Sequence, residues 1–289
     1  MVREPLLRRI AAQVLGEEKS RIVWKRIDIV GDIAIIRAPP NAIELEELKL
    51  IGEELIKRLP YIRSVWLASG PVDGPYRVRT SFTHLAGEER LETEYKEHGC
   101  RFRVDLSRVF ITPRLSYEHL RIARLVKPEE TVINMFAGAG LFSIIIACKS
   151  QPRIVYSIDI NPYAVELIRV NAQINRVADK VRALHGDARE IVESSLRGVA
   201  DRVLMPLPEL AIEYLPAAVD AIRSRGFIHV YLHVKADKQG DPREKSIQLV
   251  AGALAGLESV KRFRFTGARK VRSVGPRLVQ TVVDVEVEK

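Results

Sequence analysis

Cysteine is scarce in this chain, which has only two such residues, Cys100 and Cys148, among 289. Cys148 belongs to an apolar run that predicts a buried helix, whereas Cys100 adjoins a predicted strand, so the pattern favours core packing over a disulfide. No His and Cys residues have the spacing of zinc ligands. We therefore expect a protein of a reducing compartment, the cytoplasm, without a metal site.

Long hydrophobic runs are also missing. The apolar run Leu141–Cys148 falls well short of the roughly 20 residues that span a bilayer. Met1–Glu4 opens no signal peptide, so we expect no membrane partner. The net charge of +9 instead favours a polyanionic partner such as a nucleic acid.

Two phosphate-binding motifs are absent as well. There is no G-x-x-x-x-G-K-[ST], and Ser143 stands where a dinucleotide fingerprint needs its third glycine. What remains, in Thr131–Pro162, is a strand, a turn with Gly138 and Gly140, an apolar helix, and a second strand that ends on Asp159. A turn without Cβ atoms lets a ligand lie against the backbone, and an acid at the strand tip can accept ribose hydroxyls.

The run N-M-F-A-G-A-G, followed by an acid about 20 residues later, resembles motif I of class I methyltransferases, which bind S-adenosylmethionine. The alternative is a tight turn in another α/β enzyme, and the later Gly186-Asp187 pair favours the methyltransferase. The resemblance implies a set of cofactor-binding residues. They are Asn134, Phe136, Gly138, Gly140, Asp159, Ile160, Asp187 and Pro208.

The hydrophobic patterns predict two domains, residues 1–110 and 111–289. In the first, we expect a small α/β domain with an antiparallel sheet that contributes to RNA binding, and a helix capped by Asn41. Its other predicted elements are a helix Pro5–Leu15, strands Arg21–Ile29, Ile33–Arg37 and Ile62–Ala68, and a strand pair Leu91–Glu97 and Arg101–Asp105 joined by His98-Gly99-Cys100.

Strands and helices alternate in the second domain, and this alternation predicts a doubly wound, mostly parallel sheet. A helix capped by Ser116 leads into the motif I strand and would cover the cofactor pocket. A helix is also predicted over Glu209–Ser224. The later predicted strands are Val181–Leu184, Ala200–Met205, Gly226–Val234, Ser259–Thr266 and Leu278–Val287, with a basic connection Arg269–Arg272 between the last two. The fold class is therefore α/β, Rossmann-like.

Several ordered motifs make the resemblance more specific. They are Y-R-V-R from Tyr76, E-H-G-C from Glu97, T-P-R-L from Thr112, and D-I-N-P from Asp159. From roughly Arg21 to the C-terminus, the chain resembles archaeal and eukaryotic tRNA (guanine-N1)-methyltransferases that act on position 37. The resemblance implies a monomer that binds the anticodon stem-loop of tRNA and methylates guanine N1.

The family's functional residues can be matched one by one. Glu118 corresponds to the general base that removes the N1 proton, and Arg79 to the group that stabilises charge on O6, with Arg77 a weaker match. Phe110 corresponds to an aromatic that stacks on the flipped guanine. Taken without the family, Glu118 is a solvated helix residue paired with Arg121 or Arg114, Arg79 a surface charge, and Phe110 strand core. The basic residues expected to contact tRNA are Arg77, Arg101, Arg103, Arg114, Lys270 and Arg272.

One position departs from the family pattern. Pro206 stands where the family has the asparagine of N-x-P, whose amide holds the target nitrogen, while Pro208 keeps the turn. Two relatives therefore stay open: the wybutosine-pathway enzyme that transfers an aminocarboxypropyl group, and one that methylates a tricyclic intermediate at the same position. An RNA-binding module without catalysis is a third alternative.

Overall fold

A computed structural model describes residues 4–39, 42–70, 74, 76, 81–236 and 240–289. The chain forms two compact units, Met1–Pro113 and Arg114–Lys289. Of the predicted site residues, Arg77 and Arg79 lie outside the described ranges.

Unit 1 is built around a four-stranded sheet and a separate hairpin. Its elements are α1 Leu6–Leu15, α2 Glu17–Ser20, β1 Asp28–Val30, β2 Ile33–Ile36, α3 Leu45–Arg58, β3 Ser64–Ser69, β4 Ser81–Gly87, β5 Glu92–Glu97 and β6 Cys100–Asp105. The sheet order is β1-β2-β3-β4, with β2 and β3 parallel and the other pairs antiparallel. The predicted antiparallel sheet was wrong for one pair of strands, β2 and β3, because α3 is a crossover that returns the chain parallel to β2.

Helix α3 begins later than predicted. Its N-cap is Glu44, and Glu44 and Glu47 form a reciprocal capping box, whereas the predicted cap Asn41 lies outside the described residues. The buried face of α3 carries Leu48, Ile51 and Leu55, which belong to the core of unit 1.

The hairpin of β5 and β6 turns on two residues, not three. His98 and Gly99 both have positive φ, 49° and 78°, which is the backbone of a two-residue hairpin turn that follows the strand twist. Cys100 already pairs with Glu97 as the first residue of β6.

Unit 2 contains a seven-stranded sheet between helices. Its elements are α4 Ser116–Leu125, β7 Thr131–Asn134, α5 Leu141–Lys149, β8 Ile154–Asp159, α6 Pro162–Ile174, β9 Val181–His185, α7 Ala188–Ile191, β10 Ala200–Met205, α8 Ala211–Ala221, β11 Ile222–Lys235, α9 Pro242–Ala255, β12 Arg262–Gly275 and β13 Leu278–Glu288. Short 3-10 and π-helical segments cover Pro113–Leu115 and Val192–Leu196.

The strand order of this sheet is β12-β13-β11-β10-β7-β8-β9. Strands β7 to β11 pair in parallel, and β13 runs antiparallel to both β11 and β12. The order reverses beside β7, and in open α/β sheets ligands bind at such a switch point, at the carboxyl ends of the strands. The predicted doubly wound, mostly parallel sheet is confirmed.

Three boundaries in unit 2 were predicted incorrectly. Helix α8 ends at Ala221 and β11 starts at once with Ile222, whereas the sequence pattern extended the helix to Ser224. The basic residues Arg269–Arg272 lie inside β12 and not in a connection. Register shifts in β12, such as the one between Phe265 and Gly267, break the alternation by which a strand is recognised.

The third concerns α4, whose N-cap is Leu115 and not Ser116; no side chain caps this helix. Among the described residues, no helix has the length and apolarity needed to cross a membrane.

Candidate active site

The turn between β7 and α5 is held from both neighbouring strands. Met135 donates its N–H to the Leu204 carbonyl at 3.0 Å, and Ala137 donates to Ile158 at 2.9 Å. Gly138 and Gly140 have φ of +54° and +85°, a left-handed conformation that favours glycine. A Cβ on Gly140 would also lie 3.1 Å from Ile168 Cγ1. The turn therefore places backbone without Cβ atoms at the N-terminus of α5, the end of a helix at which ligands are commonly bound.

Asp159 lies across this turn. Its Oδ2 accepts the Gly138 N–H at 2.7 Å, and its Oδ1 accepts the Asn161 N–H at 2.9 Å. Burial raises the pKa of the Asp159 carboxyl, while the hydrogen bonds from Asn161 and Gly138 act to lower it. A carboxylate offers about four acceptor sites, so these two bonds leave room for ribose hydroxyls. The next residue, Ile160, is exposed at the same strand end.

Asp187 caps α7 and also binds a tyrosine. Its Oδ1 accepts the N–H groups of Arg189 and Glu190, and its Oδ2 accepts the hydroxyl of Tyr214. Burial and the Asp187 carboxylate raise the pKa of Tyr214 to about 12. The Tyr214 ring packs edge-on against Phe136, with centroids 5.2 Å apart. Phe136, Asp187 and Tyr214 thus form one cluster at the switch point.

The predictions did not include Tyr214. It lies on the mostly apolar helix α8, where an aromatic residue reads as ordinary core. Its one sequence signal is that α8 follows Pro208 at the carboxyl end of β10.

Asn134, another predicted cofactor residue, has a fully buried side chain. Its Nδ2 donates to Ser143 Oγ at 3.2 Å, and Ser157 Oγ donates to the same oxygen at 2.7 Å. Ser143, which replaces the third glycine of a dinucleotide motif, therefore ties β7, β8 and α5 together beneath the turn.

The first turn of α4 packs against the start of α5. The His119 ring meets the Phe142 ring edge-on at 4.4 Å between centroids, and Phe142 meets Tyr231 of β11 at 5.8 Å. Phe142 is the second residue after Gly140. These contacts bring α4 beside the glycine turn.

Glu118 is only 3% exposed. Its Oε2 accepts from Arg121 Nε at 2.9 Å and from the Tyr231 hydroxyl at 3.0 Å, and its Oε1 accepts from an Arg269 Nη at 3.3 Å. Burial, followed by the Glu118 charge, raises the pKa of Tyr231. The alternative interpretation of Glu118 as a solvated residue was wrong, although its pairing with Arg121 is present. The role of general base stays a prediction.

A network of buried charged side chains continues from Glu118 into the sheet. Arg121 donates to both carboxylate oxygens of Asp284, at 2.6 and 3.2 Å, and Asp284 Oδ1 lies 2.5 Å from His229 Nδ1. The other nitrogen of His229 lies 2.7 Å from Arg202, which pairs with Glu130 at 2.8 Å. Because arginine can only donate, His229 Nε2 must accept and Nδ1 must carry the proton.

Burial lowers the pKa of His229, against the pull of Asp284. Burial alone would raise the pKa of the Asp284 carboxyl, but hydrogen bonds from His229 and Arg121 outweigh it and hold the pKa at about 2. The network of buried charged side chains therefore contains a neutral histidine, His229, and an ionised aspartate, Asp284.

The predicted tRNA-contacting residues have different surroundings. Phe110 is 43% exposed, in unit 1. Arg272 Nε donates to Gln280 at 2.6 Å. Arg101 and Arg103 form cross-strand ion pairs with Glu94 and Glu92, respectively. Arg114 is the first residue of unit 2.

Comparison with known families decides which protein family this site belongs to. A model of the TRM5/TYW2 methyltransferase domain matches residues 93–251, which is more than half of the chain. The chain belongs to the TRM5/TYW2 methyltransferase family. Residues 7–90 match the TYW2 N-terminal domain. The predicted family and S-adenosylmethionine as cofactor are confirmed, and the open acceptor sites of Asp159 fit the ribose of that cofactor.

The names of three relatives give three different reactions at position 37. The tRNA 4-demethylwyosine(37)-methyltransferase Taw21 of Saccharolobus solfataricus is 43% identical over 91% of this chain and 94% of its own length. The tRNA (guanine(37)-N(1))-methyltransferase Trm5b of Pyrococcus abyssi is 34% identical over 94% of this chain and 77% of its own. The tRNA(Phe) (4-demethylwyosine(37)-C(7)) aminocarboxypropyltransferase of Pyrococcus horikoshii is 28% identical over 79% of this chain and 78% of its own.

Two solved structures share the fold. One is a complex of aTrm5 with tRNALeu, with a TM-score of 0.83 and 30% identity over 100% of this chain and 80% of that one. The other is Methanocaldococcus jannaschii Trm5 with adenosine, with a TM-score of 0.79 and 30% identity over 98% of this chain and 78% of that one.

Proposed function

We propose that this protein transfers the methyl group of S-adenosylmethionine to the base at position 37 of tRNA, and that the base is the tricyclic 4-demethylwyosine. The higher identity to Taw21 than to Trm5b, 43% against 34%, supports this substrate. So does the match of residues 7–90 to a TYW2 N-terminal domain. The complex of aTrm5 with tRNA and the net charge of +9 support tRNA as the partner.

Pro206 is the observation that carries the choice of substrate. It follows the fully buried Met205 at the carboxyl end of β10, the edge at which ligands bind in such a sheet. Proline has neither a side-chain amide nor a backbone N–H, so residue 206 cannot donate a hydrogen bond to a target base. Of a guanine-specific contact at this position, only the carbonyl acceptor is left.

Methylation of guanine N1 is the second candidate. It is favoured by Glu118, because the N1 proton must leave before the nitrogen can attack and a carboxylate can take that proton. Oε1 of Glu118 accepts from Arg269 at 3.3 Å, a longer hydrogen bond than those on Oε2. Oε1 is therefore the more weakly bonded oxygen and the one better able to accept a proton.

Two tRNA preparations test the proposal, one with guanosine and one with 4-demethylwyosine at position 37. Each is incubated with the parent enzyme and with cofactor labelled either in the methyl or in the aminocarboxypropyl group, and its nucleosides are separated. We expect methyl label on 4-demethylwyosine. Methyl label on guanosine alone would replace this substrate by the second candidate, and aminocarboxypropyl label would overturn methyl transfer itself.

A Pro206→Asn variant sharpens the test by restoring the amide. We expect it to gain activity on guanosine tRNA relative to the parent enzyme. Pro242→Asn, at the start of α9, is the matched control and should leave the preference unchanged.

A further inference from the structure

Tyr117 is an exposed aromatic residue at the edge of the candidate active site. It is the second residue of α4 and is 67% exposed, whereas the neighbouring Glu118 and His119 are each 3% exposed. Exposure of one aromatic ring needs no explanation by itself. The informative feature is the guanidinium carbon of Arg269, which lies 5.1 Å from the centre of the Tyr117 ring. The two planar groups share one small surface.

Arg269 is fixed from below by a buried carboxylate. One of its Nη atoms donates to Glu118 Oε1, and the other carboxylate oxygen is held by Arg121 and Tyr231. Arg121 is in turn bound to Asp284. The guanidinium therefore has little freedom to lose when a ligand binds, and such preorganisation favours affinity.

Arg269 is the cation at the outer end of this network of charged side chains. Arg121 lies between the two carboxylates of Glu118 and Asp284, and His229 is neutral. Arg269 supplies the charge that balances the second of these carboxylates, and its side chain is 37% exposed. A half-exposed guanidinium beside an aromatic ring can stack on the face of a base and can also donate hydrogen bonds to a phosphate.

The position of this pair relates it to the methyl donor. His119, two residues after Tyr117, contacts Phe142 at the start of α5, immediately after the glycine turn. Tyr117 thus belongs to the helix that packs beside the glycine turn, and Arg269 contacts the buried Glu118 of the same helix.

We propose that Tyr117 and Arg269 form a stacking platform for one unpaired base of the tRNA substrate, with Glu118 as a positioning residue for Arg269. Unstacked bases of single-stranded RNA are bound on aromatic faces and on arginine guanidinium planes. The platform rests on the proposed function only for RNA as the substrate; the identity of the modified base does not enter it.

The test is direct tRNA binding in the presence of cofactor. Tyr117→Ala removes the ring, and loss of one stacked base is expected to weaken tRNA affinity about 10- to 100-fold. Tyr117→Phe keeps the ring and should bind within about threefold of the parent, since stacking does not need the hydroxyl. Arg269→Ala should weaken binding comparably, and cofactor affinity, measured by calorimetry, should be unchanged in all three variants.

Two exposed residues that are not part of the platform serve as matched controls. Tyr61→Ala removes a tyrosine that is 58% exposed in unit 1, and Arg264→Ala removes an exposed arginine from the same strand as Arg269. Parent-like tRNA binding by Tyr117→Ala, or an equal loss in Tyr61→Ala, would overturn the platform. If the parent methylated neither tRNA preparation but Tyr117→Ala still lost tRNA affinity, the proposed substrate would fall and the platform would stand.

Discussion

The β5–β6 hairpin of unit 1 and the sheet of unit 2 contain ion pairs of similar length in opposite environments. In the hairpin, Arg101–Glu94 and Arg103–Glu92 lie at 2.5 and 3.1 Å with side chains that are 40% to 62% exposed. In unit 2, Arg121 lies 2.6 Å from Asp284, and these side chains are 13% and 12% exposed.

The difference lies in what each pair replaces. An exposed pair replaces good hydration and is worth little, about 0 to 1 kcal/mol. Removing one partner of a buried pair leaves a charge without water or counter-charge, which costs about 3 to 5 kcal/mol. Although the distances are similar, the exposed pairs of the hairpin add little stability, whereas the buried pair of unit 2 holds its side chains in place.

The largest effect is expected for Asp284→Ala, which leaves Arg121 and His229 without their shared partner. We expect unfolding free energy to fall by about 3 to 5 kcal/mol in chemical denaturation. Glu94→Ala, the matched change in the exposed hairpin, should cost less than about 1 kcal/mol. Equal losses in the two variants would remove the distinction between the two regions.

A carboxylate held by backbone amides instead of arginines extends the comparison. Asp159→Asn removes the charge that accepts from Gly138 and would accept from the cofactor ribose. Hydrogen bonds to charged groups contribute about 1.5 to 3 kcal/mol, so cofactor affinity measured by calorimetry should fall by about 10- to 100-fold. Asp241→Asn, at the exposed start of α9, is the control. Unchanged affinity in Asp159→Asn would refute the ribose contact.

Acid should destabilise the network of buried charged side chains in two steps, each of which lowers the free energy of unfolding. The pKa values of His229 and Asp284 are both below their ordinary values, so the unfolded chain binds more protons than the folded one. Stability should fall as the pH drops below the ordinary histidine pKa of about 6.5. For Asp284, about 2 kcal/mol that is fully present above its unfolded pKa should be lost as the pH falls from about 4 towards 2.

The first step is measured from the free energies of unfolding of the parent and of His229→Gln, determined by denaturation at several pH values around the ordinary histidine pKa. The variant has no imidazole to protonate, so its curve should be flatter around the ordinary histidine pKa. Identical slopes would mean that His229 is not held neutral.

The smallest effect is expected in the hairpin. Arg101→Ala should change the unfolding free energy by less than about 1 kcal/mol, and molar salt should abolish the difference because exposed pairs are screened. A larger loss that persists in salt would place the hairpin pairs with the buried ones.

Local patterns in the sequence were sufficient for the part of the site that is local in the chain. The glycine turn and Asp159 lie within Thr131–Pro162, and the strand–turn–helix–strand pattern predicted their arrangement. The buried support of Glu118 depends on residues far away, since Tyr231 is 113 and Arg269 151 positions along the chain. Nothing near Glu118 in sequence indicates these partners.

Strand β12 shows the same limit in another form. Its register shifts remove the alternation that identifies a strand, so Arg269 was assigned to a connection. Pairing with β13 shows that Arg269 belongs to the sheet, and its hydrogen bond to Glu118 shows which residue it faces.

Glu118→Gln tests most directly whether the buried charges support the platform, because the family resemblance assigns the same residue to proton transfer. Single-turnover methyl transfer is followed at limiting and saturating tRNA across about pH 6 to 9, with cofactor affinity as the check on folding. As a positioning residue, Glu118 predicts weaker tRNA binding, a nearly parental rate at saturation, the same loss at every pH, and the same behaviour in Arg269→Ala. A rate that falls by about 10²- to 10⁴-fold at saturating tRNA and recovers as the pH rises would contradict this account and identify Glu118 as the base.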